Sequence, residues 1–74
     1  MDTCINIEEI GKRIKEIRLD ADLSQQKFGE ILSVSQDTVS LWENGKSLPT
    51  VEFLIAISLH FEVSVDYLLC LKDY

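Results

Sequence analysis

The chain contains few of the residues that form metal sites, loops and membrane spans. Its 74 residues include one proline, three glycines, one histidine and two cysteines, Cys4 and Cys70. Because these cysteines lie near opposite ends and form no Cys/His cluster, we expect two free thiols and no zinc. No apolar run approaches the roughly 18 residues of a membrane span, and the start, MDTCINIEE, is too acidic for a signal peptide. These absences predict a cytoplasmic protein without metal or cofactor.

Signatures of enzyme chemistry are also missing. The sequence has no nucleophile beside a base and no glycine-rich phosphate loop. His60 stands alone and is expected to be an ordinary surface residue. The adjacent acids Glu8 and Glu9 fall at the start of a predicted helix, where capping explains them. We therefore expect no enzyme activity.

Apolar and acidic residues are plentiful. Hydrophobic residues make up 46% of the chain, which predicts one small folded domain rather than disorder. The net charge of −6 divides into −2 over residues 1–23, −1 over 24–47 and −3 over 48–74. DNA affinity normally draws on basic side chains that neutralise phosphates. Binding to DNA would therefore use the least acidic middle segment, with modest non-specific affinity.

The pattern from Leu23 to Lys46 predicts two short helices joined by a tight turn. Ser24 caps helix 2, which runs to about Leu32, and Ser35 caps helix 3 over Gln36–Glu43. The side chains expected to face inward are Phe28, Ile31, Leu32, Val39 and Trp42. Helices joined so closely cross steeply, and the second has the size and shape to enter a DNA major groove.

Three further helices complete a predicted all-α, five-helix fold. Helix 1 begins after Asn6, buries a stripe of isoleucines and ends at about residues 20–22. Thr50 is expected to cap helix 4, which extends to about His60, and Ser64 to cap helix 5. The isoleucine stripe consists of Ile7, Ile10, Ile14 and Ile17. The outer face of helix 1 carries Lys12, Arg13 and Lys15, which are either solvated or in contact with phosphate.

Helix 4 and the C-terminus carry more apolar residues than one buried face requires. They include Phe53, Leu54, Ile55, Ala56, Ile57, Leu59, Leu69, Cys70, Leu71 and Tyr74. Either the domain has a generous core or this surplus forms a subunit interface. We favour a homodimer, which would place two copies on two DNA half-sites.

Several motifs, taken in order, resemble the Cro/C1-type helix-turn-helix regulators, also called Xre-like or lambda-repressor-like. They are Ser24-Gln25, Val34-Ser35, the stretch from Trp42 to Lys46, Pro49-Thr50, and the ending VSVDYLL at residues 63–69. The resemblance covers roughly residues 10–69. It divides the chain into 1–9, an N-terminal extension with the start of helix 1, the domain over 10–69, and a tail over 70–74.

The resemblance implies a sequence-specific regulator of transcription, most simply a repressor, that binds an operator of palindromic double-stranded DNA. Gln36, Asp37 and Ser40 match positions that reach base edges, and the exposed Leu41 suits a thymine methyl group. The positions expected near the DNA backbone are Gln25, Gln26, Thr38, Asn44 and Lys46. Arg18 and Glu43 match a buried ion pair between helices 1 and 3.

The sequence departs from the family at the turn and at the base-contacting face. Ser33 occupies a position where the family usually has glycine, and positive φ there would cost a modest strain. Asp37 is acidic, so phosphates would repel it, although it could accept a hydrogen bond from a cytosine amino group. Two other functions remain open: an antitoxin that neutralises a toxin protein, and a controller of a restriction–modification operon.

Overall fold

Five α-helices form the regular structure of the computed structural model, which describes residues 6–73. They are α1 (Ile7–Asp20), α2 (Gln25–Leu32), α3 (Gln36–Glu43), α4 (Val51–Phe61) and α5 (Val65–Leu68). The predicted all-α, five-helix fold is confirmed. Cys4, most of the expected N-terminal extension and Tyr74 lie outside the described residues.

Short polar side chains fix where four of the helices begin. The side chains of Asn6, Ser24, Ser35 and Ser64 each accept a hydrogen bond from the backbone N–H three residues later, at 3.0–3.1 Å. Each such cap is worth about 1 kcal/mol relative to alanine. Thr50 has the extended backbone of an N-cap at the start of α4, but its side chain makes no capping hydrogen bond.

All five helices contribute to a single apolar core. Phe28 of α2 stacks on Phe61 of α4 with ring centroids 5.1 Å apart, and Trp42 of α3 lies 5.5 Å from Phe53 of α4. The contact of Trp42 with Phe53 fixes the inner side of α3, so its opposite side is presented outward. The buried core residues are Ile10, Ile14, Ile17, Phe28, Leu32, Val39, Trp42, Leu54, Ile57 and Leu68.

Glycines allow the helices to approach backbone closely at two places. A Cβ on Gly29 of α2 would lie 2.6 Å from the carbonyl oxygen of Val34, in the turn before α3. A Cβ on Gly11 of α1 would collide with the carbonyl oxygen of Trp42, near the end of α3. Side chains at either position would push α3 away from its supporting helices. Gly29 thus makes room for the turn that precedes α3.

The prediction that Ile31 faces the core is wrong. Its side chain is 36% exposed, whereas Phe28 and Leu32 are buried. Adjacent helical residues are about 100° apart, so in a short helix Ile31 leaves the narrow inner stripe that its neighbours share. Ile7, the first member of the predicted α1 stripe, is only half-buried because it begins the helix.

The prediction that Arg13 lies on an outer basic face is also wrong. Its Nη1 donates to the carbonyl oxygens of Tyr67 at 2.7 Å and Lys72 at 2.6 Å. The guanidinium carbon lies 4.4 Å from the centre of the Tyr67 ring, and Nη2 lies 3.4 Å from the Asp73 carboxylate. Arg13 therefore holds the expected tail against α1. Lys12 and Lys15 remain exposed, as expected.

Two negative findings apply to residues 6–73. None of the helices there is long and apolar enough to cross a membrane. No group of three or more histidine, cysteine, aspartate or glutamate side chains in that range could hold a metal ion. Cys70 is a half-buried free thiol.

Candidate nucleic-acid interface

The turn between α2 and α3 is set by backbone geometry at Ser33. This residue ends α2 in the left-handed conformation, with φ 62° and ψ 38°. The following N–H of Val34 donates to the carbonyl oxygen of Gly29 at 2.8 Å, which closes the end of α2. Ser35 then starts α3, and its hydroxyl lies 3.0 Å from that of Thr38. The positive φ considered for Ser33 is thus observed.

The outward side of α3 carries four of the residues singled out from the sequence. Gln36 and Asp37 are exposed in its first turn, and Leu41 is 46% exposed one turn later. Ser40 is half-buried, and its hydroxyl oxygen accepts a hydrogen bond from Asn44 Nδ2 at 3.2 Å. Positions 36, 37, 40 and 41 share one side of a helix. The helix therefore presents an amide, a carboxylate, a hydroxyl and an apolar side chain together.

The residues expected near the DNA backbone surround this side of α3. Gln26 and Lys46 are exposed, at the start of α2 and just after α3. Gln25 and Thr38 are half-buried and hydrogen-bonded within the protein. Asn44 is exposed and ends α3, and the left-handed Gly45 (φ 69°) follows it. The placement allows contacts on both flanks of α3.

A buried carboxylate ties α1, α2 and α3 together directly behind this surface. Glu43 accepts hydrogen bonds from Arg18 Nε at 2.7 Å and Nη2 at 3.0 Å, and from Gln25 Nε2 at 3.1 Å. Arg18 Nη1 donates to the carbonyl oxygen of Leu23 at 2.8 Å. The hydrogen bond to Glu43 raises the pKa of Arg18, so its guanidinium stays charged. This network sets the position of α3 relative to α2.

Positive charge is scarce on the α2–α3 surface. Lys46 is exposed, whereas Lys27 forms an exposed ion pair with Glu30 at 3.5 Å. Asp37 adds a negative charge at the first turn of α3. An exposed pair is screened by solvent and can be exchanged for a phosphate at low cost. The surface can bind a polyanion, but through few strong charge contacts.

A cavity elsewhere in the domain does not belong to this surface. It is shallow and lies between the ends of α1 and α4, lined by Ile17, Asp20, Ala21, Phe61 and Val63. None of the singled-out α2 or α3 residues lines it. His60 is exposed beside the Phe61 ring, 6.3 Å between centroids, in agreement with its interpretation as a surface residue.

Comparison with known proteins identifies the class to which this arrangement belongs. A helix-turn-helix family model matches residues 14–68, most of the chain. The chain belongs to the Cro/C1-type helix-turn-helix family.

The relatives of the chain include a transcriptional activator and an antitoxin. The chain is 38% identical over 61 residues to the transcriptional activator BcrR of Enterococcus faecalis, covering 82% of this chain and 30% of BcrR. It is 40% identical over 55 residues to the antitoxin PezA of Streptococcus pneumoniae, covering 74% of this chain and 35% of PezA. The chain thus spans about a third of the length of these relatives.

A solved structure resembles the fold closely. The c2 repressor of Salmonella phage P22, in a crystal structure with a synthetic operator, superposes with a TM-score of 0.76 at 35% identity. The match covers 81% of this chain and 91% of that one. At this identity the likeness extends to sequence as well as backbone, so the two chains share their arrangement of helices.

Two contacts that position this surface were not predicted from the sequence. Gly11 admits the end of α3 to α1, and Asn44 bonds to Ser40, a neighbour that was considered separately from it. The four-residue spacing of Ser40 and Asn44 could have indicated their contact. Gly11 lies within the apolar pattern of α1, and that pattern alone does not predict that the backbone of α3 contacts this glycine.

Proposed function

We propose that this protein is a sequence-specific DNA-binding regulator of transcription, most simply a repressor. The observation that carries the proposal is the outward side of α3. It presents four varied side chains on a helix anchored by Glu43 to two others. The likeness to an operator-bound repressor supports the same conclusion. A regulator of this kind works where its DNA is, so we place it in the cytoplasm.

In this proposal, α3 enters the major groove and side chains on its outer side read base edges. Gln36 pairs with adenine, Asp37 accepts from a cytosine amino group and Leu41 packs on a thymine methyl group. Ser40 keeps its hydroxyl proton available to donate, because the hydrogen bond from Asn44 uses only a lone pair of its oxygen. These contacts supply specificity, because they depend on which base is present.

The flanking residues fix the register on the duplex through phosphates. Lys46 and Gln26 contribute exposed side chains, and Thr38 and Asn44 lie at the two ends of α3. Gln25 uses one amide hydrogen on Glu43 at 3.1 Å, which leaves its second hydrogen for a phosphate oxygen. Binding would therefore fall moderately with salt, in keeping with few cationic contacts.

Two copies bind together in this proposal, one on each half of a palindromic operator. Half-sites one helical turn apart, about 34 Å, place two recognition helices on one side of the duplex. Because a single α3 contacts only a few base pairs, the second copy supplies the remaining specificity.

The test is selection of bound sequences from a pool of random duplexes. We expect enrichment of an inverted repeat whose half-site centres lie about 10 base pairs apart. A pool that shows no enriched sequence after several rounds, although the protein is folded, would contradict the proposal. Parallel selection with Glu16→Gln, at an exposed position of α1, controls for a change in net charge away from α2 and α3.

An antitoxin function is the second candidate. The identity with PezA and the −3 charge of residues 48–74 favour it. In that case the acidic side of the chain would hold a basic toxin, while α3 binds the operon's own DNA. A toxin gene beside this one, and a stable complex of the two purified proteins, would support it. If this protein and the product of the neighbouring gene do not bind each other at micromolar concentrations, the antitoxin function is refuted.

A further inference from the structure

Helix α4 has a second apolar side that faces away from the core. Val51, Ile55 and Leu59 are 69%, 47% and 75% exposed, although Leu54 and Ile57 of the same helix are buried. Residues four apart stand one above another on a helix, so these three form a continuous line, which we term the α4 stripe. The described part of the chain leaves this line open to solvent.

The α4 stripe differs from the other exposed apolar side chains. The others are also exposed, but each lies on a different segment: Leu19, Ile31, Leu48 and Leu71. Isolated exposed apolar residues are normal on a protein surface, whereas a contiguous set marks an interaction site. Leu41 lies on the side of α3 already assigned to DNA. The α4 stripe is therefore the apolar surface that still requires a partner.

We infer that the α4 stripe is where a second copy of this chain docks, with the two α4 helices antiparallel, and that the pairing becomes strong only on DNA. The first part concerns the protein alone, and the second rests on the proposed function. The inference names the surface through which two copies cooperate on one operator.

The order of residues along α4 suits a two-fold axis. Ile55 is at the centre of the stripe, so an antiparallel copy places Ile55 on Ile55 and Val51 on Leu59. The stripe contains no charged residue. Glu52 beside it would lie next to Ser58 of the copy, whereas parallel helices would put Glu52 against Glu52. Since opposed like charges are costly at an interface, the antiparallel arrangement is favoured.

The size of the stripe explains why the pairing would be weak without DNA. Three side chains exposed by about half to three quarters offer on the order of 300 Å² per copy. A stable interface usually buries about 800 Å² per partner. Each copy also carries a net charge of −6, which adds repulsion. Adjacent half-sites raise the effective concentration of one copy near the other to about the millimolar range, enough for a small contact to form.

The first experiment measures cooperativity on DNA. Duplexes with one or two copies of the selected half-site are titrated with wild type, Ile55→Gln and Leu19→Gln. We expect wild type to bind the second half-site about tenfold tighter than a single one, within the usual range of coupling. Ile55→Gln should lose this gain and keep its single-site affinity. Leu19→Gln, at a 52% exposed position on α1, should behave as wild type.

Sedimentation equilibrium without DNA tests the surface separately. Wild type should show concentration-dependent self-association at several hundred micromolar, and Ile55→Gln should remain monomeric. If neither wild type nor any variant binds DNA, but wild type still self-associates and Ile55→Gln does not, the proposed function is refuted while the docking surface is supported. The inference is overturned if Ile55→Gln associates and cooperates as wild type does. It is equally overturned if wild type shows neither association nor cooperativity, which would assign the stripe to another partner such as a basic protein.

Discussion

Replacement of Glu43 by glutamine should destabilise the whole domain. The Glu43 side chain is 2% exposed and accepts three hydrogen bonds, two from the guanidinium of Arg18 and one from Gln25. Glutamine keeps the size but removes the charge and turns one acceptor into a donor. At least one of the three donors then faces another donor, and Arg18 is left buried without its counter-charge.

The cost follows from the burial of the pair. Breaking a buried ion pair from one side costs about 3–5 kcal/mol. A domain of this length has a total stability of about 4–11 kcal/mol. A loss of 3 kcal/mol would lower the melting temperature by about 12 °C or more. Glu43→Gln should therefore lose at least about a quarter of the domain's free energy of unfolding.

Urea unfolding followed by fluorescence of Trp42, the single tryptophan, measures this cost. The matched control is Glu30→Gln, which breaks an exposed ion pair with Lys27 and should change stability by less than about 0.5 kcal/mol. The double replacement Arg18→Met with Glu43→Leu removes both charges and should be more stable than Glu43→Gln. If Glu43→Gln costs no more than Glu30→Gln, the account of the network is refuted.

Four further changes test other parts of the account. Gln36→Ala should lose about 1–3 kcal/mol of discrimination at one base pair of the selected duplex; an equal loss on all sequences would mean that Gln36 only positions the protein. Lys46→Ala should weaken all sequences alike and reduce the slope of log affinity against log salt by about 1; an unchanged slope would remove Lys46 from the phosphate contacts. Glu62 ends α4 with φ 56°, so Glu62→Gly should stabilise the domain by about 0.5–1 kcal/mol in urea unfolding. Glu62→Gln, which keeps the Cβ, should give no such gain, and equal gains would point to charge instead. Arg13→Ala should speed hydrogen exchange of residues 68–73, since it removes the bonds to Tyr67 and Lys72; unchanged exchange would show that other contacts hold the segment.

The sequence predicts helix boundaries well where the capping residues and the apolar spacing indicate the same helix. Ser24 and Ser35 cap helices whose apolar residues recur at helical spacing, so α2, the turn and α3 could be placed within a residue. The Arg18–Glu43 pair seen in the structure was named through the family resemblance, because the two residues lie 25 positions apart. Local rules do not reach such distances.

Other features depend on tertiary contacts that no local pattern encodes. The contacts of Arg13 could not be predicted, because its acceptors are backbone carbonyls 54 and 59 positions away in the sequence. Its charge and its place in α1 therefore suggested an outer residue. Ile31 is apolar and was taken as inward, but an eight-residue helix with a narrow inner side has no room for it. The surplus of apolar residues in α4 was noticed from composition, and only the fold shows which of them are exposed.

The central claim is that the outward side of α3 reads a DNA sequence. Fluorescence anisotropy near physiological salt tests it directly, with duplex from upstream of the protein's own gene beside a scrambled duplex of the same composition. The account predicts binding to the upstream duplex at least about 1,000-fold tighter than to the scrambled one. Equal, weak binding to both would contradict it and show that the acidic surface prevails.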